Sequence, residues 1–284
     1  MPILKHRRAK RLLAIAAALT MALVLAAPAQ AAGSSDSSIY SDMNKPRKEQ
    51  GGARKKRKAR QDMSWVRLHK RYPNAFVLNG PRNGRKIALT FDDAPDPRFT
   101  PQILDILADY RVCATFFVVG DRAARHPEIV RRMQREGHII GNHSFDHAVL
   151  STLSDAAFAK QIRRTDTILR RLVGYSPRFI RPPYGELKPD QVQWGMQHGF
   201  IVVNWDVDSE DWKNNPGSAK IMANIRRTLQ PGSIILQHAG GGNGQDLSGT
   251  IDALPLLIKR LQNQGYELVT LPELLGQRQY RPKP

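Results

Sequence analysis

The sequence predicts an α/β fold whose parallel sheet curls into a closed or nearly closed barrel, and three observations carry that prediction. From about residue 85 onward, short apolar runs alternate with amphipathic stretches. Seven to eight such strand–helix units follow one another between residues 86 and 276. Repeated units of this kind require parallel strands with right-handed crossovers, and that many fit a barrel better than an open doubly wound sheet. Finally, no G-x-G-x-x-G follows the first strand and no G-x-x-x-x-G-K-[S/T] occurs, which removes the usual dinucleotide and nucleotide-phosphate signatures.

The elements read in order as follows. KIALTF (86–91) is a strand. TPQILDILADY (100–110) is a helix with Thr100 as its expected N-cap and Pro101 in the first turn. ATFFVV (114–119) is a strand, HPEIVRRMQREG (126–137) a helix ending at Gly137, and HII (138–140) a short strand. SDAAFAKQIRRTDTILRRLVG (154–174) places Phe158, Ile162, Ile168, Leu169 and Leu172 at helical spacing and ends on Gly174. RFI (178–180) is a strand, LKPDQVQWGMQHG (187–199) a helix, and FIVVNW (200–205) a strand. GSAKIMANIRRTL (217–229) is a helix, SIILQ (233–237) a strand, and TIDALPLLIKRLQNQG (250–265) a helix started or interrupted by Pro255. YELVT (266–270) and LPELLG (271–276) close the series as strand and helix.

Charge divides the chain before structure does. The net charge is +19. Residues 1–82 hold 18 Lys and Arg against 4 Asp and Glu, so most of the excess lies there and the remainder is only mildly basic. Residues 1–31 have a secretory signal's layout: basic KHRRAKR (5–11), an apolar run from Leu12 to Ala27, then Pro28 and Ala29-Gln30-Ala31. The apolar run falls short of the ~20 residues of a spanning helix, so cleavage is expected over a retained anchor. Residues 32–82 are expected to be a basic, disordered linker. Export argues against nucleic acid as a partner for RKKRKAR (54–60); attraction to an anionic envelope surface is one expectation and a plain solvated tether the other. The catalytic body is expected at 83–278, with a tail at 279–284. Exported, the protein would work in the periplasm, in the cell envelope or outside the cell. The single cysteine, Cys113, allows no internal disulfide.

In a strand–helix barrel, chemistry collects at the C-terminal ends of strands. The first strand ends TFDDAP, with Asp92 and Asp93 adjacent. Neighbouring residues on a strand face opposite ways, but a turn at Ala94-Pro95 would let both acids enter one cleft. Two close carboxylates repel unless a cation neutralises them, so a metal ligand beside a general base is one reading and a plain turn the other. GNHSFDH (141–147) spaces His143 and His147 by four, one face of a helix if the segment is helical. Two imidazoles and one carboxylate leave a zinc coordination position open. RPPYGE (181–186) sets Arg181 at a strand end, and its prolines lack N–H donors, so the next N–H, that of Tyr184, is either an oxyanion donor or part of a plain proline-rich turn. WDVDSEDW (205–212) holds four acids in six residues between Trp205 and Trp212. Some of those acids must be solvated or paired with Arg181, and the tryptophans suit either sugar stacking or a core. Gln237-His238 precedes AGGGNG, and His238 could serve as a general acid near neutral pH.

Together TFDD (90–93), HSFDH (143–147), RPPY (181–184), DSEDW (208–212) and LQH (236–238) resemble the five motifs of the polysaccharide deacetylase family, the NodB-homology or carbohydrate esterase family 4 domain. The resemblance covers roughly residues 83–275. It implies an incomplete (β/α)7 barrel. It also implies that Asp93, His143 and His147 hold a divalent metal, usually zinc, with cobalt or nickel able to substitute. Asp92 would be the base toward metal-bound water and His238 the acid toward the leaving amine. Arg181 would orient Asp92, Asp211 would pair with His238, and the Tyr184 N–H would share the oxyanion. Trp205 and Leu236 would wall the acetyl pocket. Ala94 departs from the family, which usually has Gly there, without removing a ligand. The implied activity is N-deacetylation of an acetylated polysaccharide, with base and acid on opposite strands. Ester deacetylation, as in acetylxylan esterase, and a non-enzymatic carbohydrate-binding module are the alternatives.

Overall fold

The computed structural model describes residues 64–242 and 244–281. All of them belong to the second of the chain's two units, Pro46–Pro284. The expected signal or anchor (1–31), most of the basic linker and residues 282–284 lie outside the described residues, as does the first unit, Met1–Lys45. Among the described residues, no helix is long and apolar enough to cross a membrane.

The described chain runs α1 (Trp65–Arg71), β1 (Phe76–Val77), β2 (Lys86–Ala94), α2 (Thr100–Asp109), β3 (Thr115–Val118), α3 (Gly120–Arg125), α4 (Pro127–Arg135) and β4 (Ile139–Asn142). It continues as α5 (Asp155–Val173), β5 (Phe179–Ile180), α6 (Pro189–Gln197), β6 (Ile201–Val203), β7 (Val207–Asp208), α7 (Ser218–Thr228), β8 (Ile234–His238), α8 (Ser248–Asn263), β9 (Glu267–Val269) and α9 (Leu271–Leu275). Every paired strand of this sheet is parallel.

The strand order is β1-β6-β5-β4-β3-β2-β8-β7, with β9 added against the start of β2. The end strands β1 and β7 do not pair, so the sheet is an open barrel. Yet β6, one strand from one edge, passes directly to β7 at the other edge. Four peptide steps from Val203 to Val207 reach at most about 14 Å, which forces the sheet to curl.

Both faces of the sheet are covered, as a parallel sheet requires. Ala88, Phe117, Phe179, Val203 and Ile234 form the cluster inside the barrel. Ile87, Leu89, Phe91, Phe116, Ile140 and Ile235 point the other way, into the helical layer. On β2 the odd-numbered side chains therefore face the helices and the even-numbered ones the barrel, through to Asp92. Fully burying one such side chain contributes roughly 1.5–3 kcal/mol. A parity error on this strand would thus be costly.

Local signals explain the helix ends. The Ser154 side chain accepts from Ala157 N–H at the start of α5, and Gly174 takes the left-handed conformation at its end. Thr100 does not act as the expected cap. It is the first helical residue, and its hydroxyl accepts from Asp96 N–H and donates to Ala239 carbonyl, both at 2.8 Å. It ties the loop after β2 to the end of β8.

Part of the segment expected as a linker, residues 64–82, is folded onto the sheet. Leu68 and Phe76 are buried, and β1 extends the sheet through Phe76↔Val202 and Val77↔Val203. The basic charges of this stretch concealed an amphipathic turn whose apolar positions Trp65, Leu68 and Tyr72 pack together. The expected tail also docks in part. Arg178 N–H donates to Gln279 carbonyl, Pro177 bridges Tyr280, and Arg281 pairs with Asp166.

Candidate active site

The two acids after the first strand enter one cleft through a bulge. The β2–β3 register shifts between Phe91 and Ala94, and Asp93 takes φ 63°. By strand parity Asp93 would point into the helical layer. One left-handed residue turns it back beside Asp92, the re-aiming a bulge accomplishes. Ala94 is fully buried and is not among the left-handed residues, so its backbone demands no glycine.

His143 and His147 do meet, but not on a helix. They bracket a tight loop after β4 with Ser144 and His147 at φ 65° and 62°. Gln161 Oε1 on α5 accepts from Phe145 and Asp146 N–H at 2.8 and 3.3 Å, and Ser144 Oγ accepts from His147 N–H at 3.1 Å. The imidazole centroids end 5.1 Å apart. The four-residue spacing marks two residues that the fold does bring together, by a loop rather than by a helix.

Asp93 Oδ1 lies 3.5 Å from His143 Nε2 and 3.2 Å from His147 Nε2. The carboxylate and both imidazoles offer one ligand atom each, all within 4.8 Å of one another. His143 Nδ1 lies 2.7 Å from Arg181 carbonyl. A carbonyl only accepts, so Nδ1 carries the proton and Nε2 keeps its lone pair toward Asp93. Burial lowers the His143 pKa to about 4, which holds the ring neutral. Burial alone would raise Asp93, but His147, His143, His238 and Arg122 outweigh it and bring its pKa to about 2. Asp93 Oδ1 is buried without a hydrogen-bond partner. An ionised, unbonded oxygen between two imidazoles fits a divalent cation.

Asp92 stands beside this triad. Its Oδ1 accepts from Arg181 Nη1 at 2.8 Å, and its Oδ2 lies 3.8 Å from His143 Nε2. Arg181 is fully buried, and its guanidinium also donates to Thr90 Oγ1, Val203 carbonyl and Asn204 carbonyl. Burial lowers its pKa against the opposing pull of Asp92.

His238 faces Asp92 from the next strand, since Asp92↔His238 are paired in the β2–β8 register. Base and acid candidates are thus on adjacent strands, not opposite ones. Asp211 accepts from His238 Nδ1 at 2.7 Å, His238 N–H at 2.8 Å and Thr250 hydroxyl at 2.9 Å. Burial would lower the His238 pKa, but the charge and hydrogen bond of Asp211, with Asp93 and Asp92 behind, raise it to about 9. At neutral pH the ring is an imidazolium whose Nε2 carries a proton.

The other acids of 205–212 turn elsewhere. Asp206 binds Arg82 and Ile234 N–H, Asp208 accepts from Glu210 N–H, and Glu210 meets Arg227. None makes the ion pair with Arg181, which goes to Asp92. Tyr184 takes φ 61° in a short 3₁₀ turn, and its ring meets His147 edge-on at 5.0 Å. Leu236 is buried two residues before His238, and Trp205 lies 5.5 Å from the Arg181 guanidinium.

Several supporting residues carried no sequence signal. Arg122 donates to Asp93 carbonyl at 2.8 Å and to Gly241 carbonyl at 3.0 Å, tying the bulge to the glycine-rich loop. Gly240 must be glycine there, because a Cβ would lie 2.3 Å from Asp93 carbonyl oxygen. Thr250 and Gln161 likewise act only through the tertiary fold.

Residues 79–203 match the family model for polysaccharide deacetylase. Over 211 residues the chain is 44% identical to a peptidoglycan-N-acetylglucosamine deacetylase of Bacillus cereus, covering 74% of each. It is 37% identical over 199 residues to a chitooligosaccharide deacetylase of Bradyrhizobium sp., covering 67% of this chain and 90% of that protein. A crystal structure of a peptidoglycan N-acetylglucosamine deacetylase superposes with a TM-score of 0.72 at 42% identity, covering 75% of this chain and 98% of that one.

Proposed function

The chain belongs to the polysaccharide deacetylase family, and from that premise we propose that it removes N-linked acetyl groups from N-acetylglucosamine units of a polysaccharide. Peptidoglycan is the leading substrate and chitin-type oligomers the next, in line with the relatives at 44% and 37% identity. One observation carries the reading: the buried, unbonded Asp93 Oδ1 between two imidazole nitrogens, with Asp92 and His238 flanking it.

Asp93, His143 and His147 would hold the metal, and two nitrogens with one carboxylate favour zinc. When bound, the cation supplies a Lewis acid that polarises the acetyl carbonyl and acidifies water. Asp92 takes the attacking water's proton on Oδ2, while Arg181 occupies Oδ1 and fixes the carboxylate plane. Attack on the carbonyl carbon places negative charge on its oxygen, toward which the Tyr184 N–H is directed in this reading. His238 then gives its Nε2 proton to the amide nitrogen as the carbon–nitrogen bond breaks, leaving acetate and a free amine. Asp211 keeps His238 protonated for that step. Trp205 and Leu236 wall the acetyl methyl.

The catalytic domain in this reading runs from residue 64 to 281. The protein acts outside the cytoplasm at the cell wall, with the basic stretch 45–60 drawn to an anionic envelope surface. The test compares acetate release from peptidoglycan, from chitooligosaccharides and from an acetylated xylan, with chelator and with zinc restored. Zinc-restored release from the N-acetylated glycans is expected. Release only from the xylan ester would replace this reading with ester hydrolysis, and release from none would overturn it.

A further inference from the structure

Trp65 lies in the segment that the sequence assigns to a linker, yet its indole reaches the loop that carries Tyr184. A Cβ built on Gly185 would lie 2.2 Å from Trp65 Cζ2 and 3.0 Å from Cε2. Gly185 also takes φ 72° directly after Tyr184 at 61°. Close approach and left-handed backbone thus both require glycine there. The same indole meets Trp205 edge-on, with ring centroids 4.7 Å apart.

This loop is held at both ends: Arg181 is fully buried, the Tyr184 ring meets His147 edge-on, and Glu186 accepts from Ser151 hydroxyl at 3.0 Å, while Gly185 lies between them. Pro182 and Pro183 have no N–H to donate. Gly185 N–H bonds back to Pro182 carbonyl at 2.9 Å, and from outside the loop Asn204 Nδ2 donates to Gly185 carbonyl at 2.9 Å. Asn204 is itself held, since its N–H donates to Val77 carbonyl and its carbonyl accepts from Arg181 Nη2. One side of Gly185 is therefore set by a hydrogen bond and another by Trp65. The support under Trp65 is firm: Leu68 is buried, His69 Nδ1 bonds Phe76 carbonyl at 2.7 Å, and β1 pairs with β6.

We infer that Trp65 is a positioning residue for deacetylation, whose indole clamps Gly185 and the edge of Trp205 and so fixes the Tyr184 N–H and the acetyl-pocket wall together. The inference rests on the deacetylase reading above for its chemistry. It assigns α1 to the active-site apparatus although the chain reaches it before the first strand–helix unit. Asp93, His143 and His147 are placed by the bulge of β2 and by the loop after β4, not by α1, so loss of Trp65 should act on turnover and leave metal binding alone.

The test uses the full chain and its W65A and W65F variants. W65A is expected to lower kcat about 10- to 100-fold, the cost of a misplacement near 1 Å. KM should change less than about threefold and zinc stoichiometry should be unchanged, while W65F should recover most of the lost kcat. Hydrogen exchange of peptide 181–186 asks the same question without turnover: faster exchange in W65A, restored by W65F, is expected. Wild-type kcat in W65A, or a loss that W65F does not relieve at wild-type melting temperature, would overturn the inference. So would unchanged protection of peptide 181–186 in W65A. A wild-type chain that releases no acetate but shows the exchange pattern would instead overturn the deacetylase reading and leave the clamp standing.

Discussion

Arg181 shows how much one buried side chain can be asked to do. Its guanidinium satisfies two backbone carbonyls, a threonine and Asp92, and its own carbonyl sets the His143 tautomer. Replacing it with methionine strands a buried carboxylate. R181M should lose about 3–5 kcal/mol of unfolding free energy in a denaturant melt, and a loss under about 1 kcal/mol would contradict the arrangement. Asp211 works through His238. The His238 pKa is raised to about 9, so the contribution of this pair to stability is complete below about pH 6.5. It is lost as pH rises through about 9. The same shift keeps His238, the proposed acid, protonated at neutral pH. D211N removes the raising charge and leaves burial to dominate, so the alkaline limb of kcat/KM should move down by roughly one to two pH units. An unmoved limb would remove Asp211 from this role. The sequence made Arg181 and His238 visible because each lies at a strand end within a short motif, and Asp211 because it sits in the acidic motif between two tryptophans. It hid their geometry: the left-handed turns at Asp93, Ser144 and His147 have no glycine to announce them, and Arg122 and Thr250 stand in no motif.

Among the elements, β2 carries the most information. Its even positions lead into the barrel and its odd positions into the helices, and the bulge at Asp93 breaks that parity where both acids enter the cleft. Ala94 follows the bulge in a backbone that an alanine tolerates, and its methyl belongs to the core. A94G should therefore cost roughly 0.5–1 kcal/mol of stability and leave zinc affinity unchanged. Tighter zinc binding in A94G would mean that the methyl narrows the cleft. Strands and helices with clear apolar periodicity were legible within one to three residues, as α5 shows with its serine cap and terminal glycine. The two-residue β7 and the six-residue α3 were not, because so few residues hold no period; the equally short β5 was legible only as the apolar end of RFI. β7 is defined by pairing with β8 and α3 by packing against α5.

For the whole molecule, the curled sheet brings the ends of β2, β4, β5 and β8 together, though the site residues from Asp92 to His238 are spread through the chain. The fold class was legible because βα repetition is a property of the sequence alone. The N-terminal limit was not, because the cationic surface of α1 continues the charge of the segment before it, while Leu68 and Phe76 reveal themselves only by burial. A chain beginning at residue 83 should lose those two side chains, roughly 1.5–3 kcal/mol each, and unpair the edge of β6. Its melting temperature should fall well below that of residues 64–284. Equal melting curves would return the boundary to residue 82.

The most direct test of the central claim, that Asp92 is a base distinct from the metal-holding triad, is acetate released per bound zinc by D92N, with H143A as the reference. D92N should hold zinc at wild-type stoichiometry and turn over at least about 10²-fold more slowly, whereas H143A should lose both zinc and activity. Wild-type turnover per zinc in D92N, or full zinc occupancy in H143A, would contradict it.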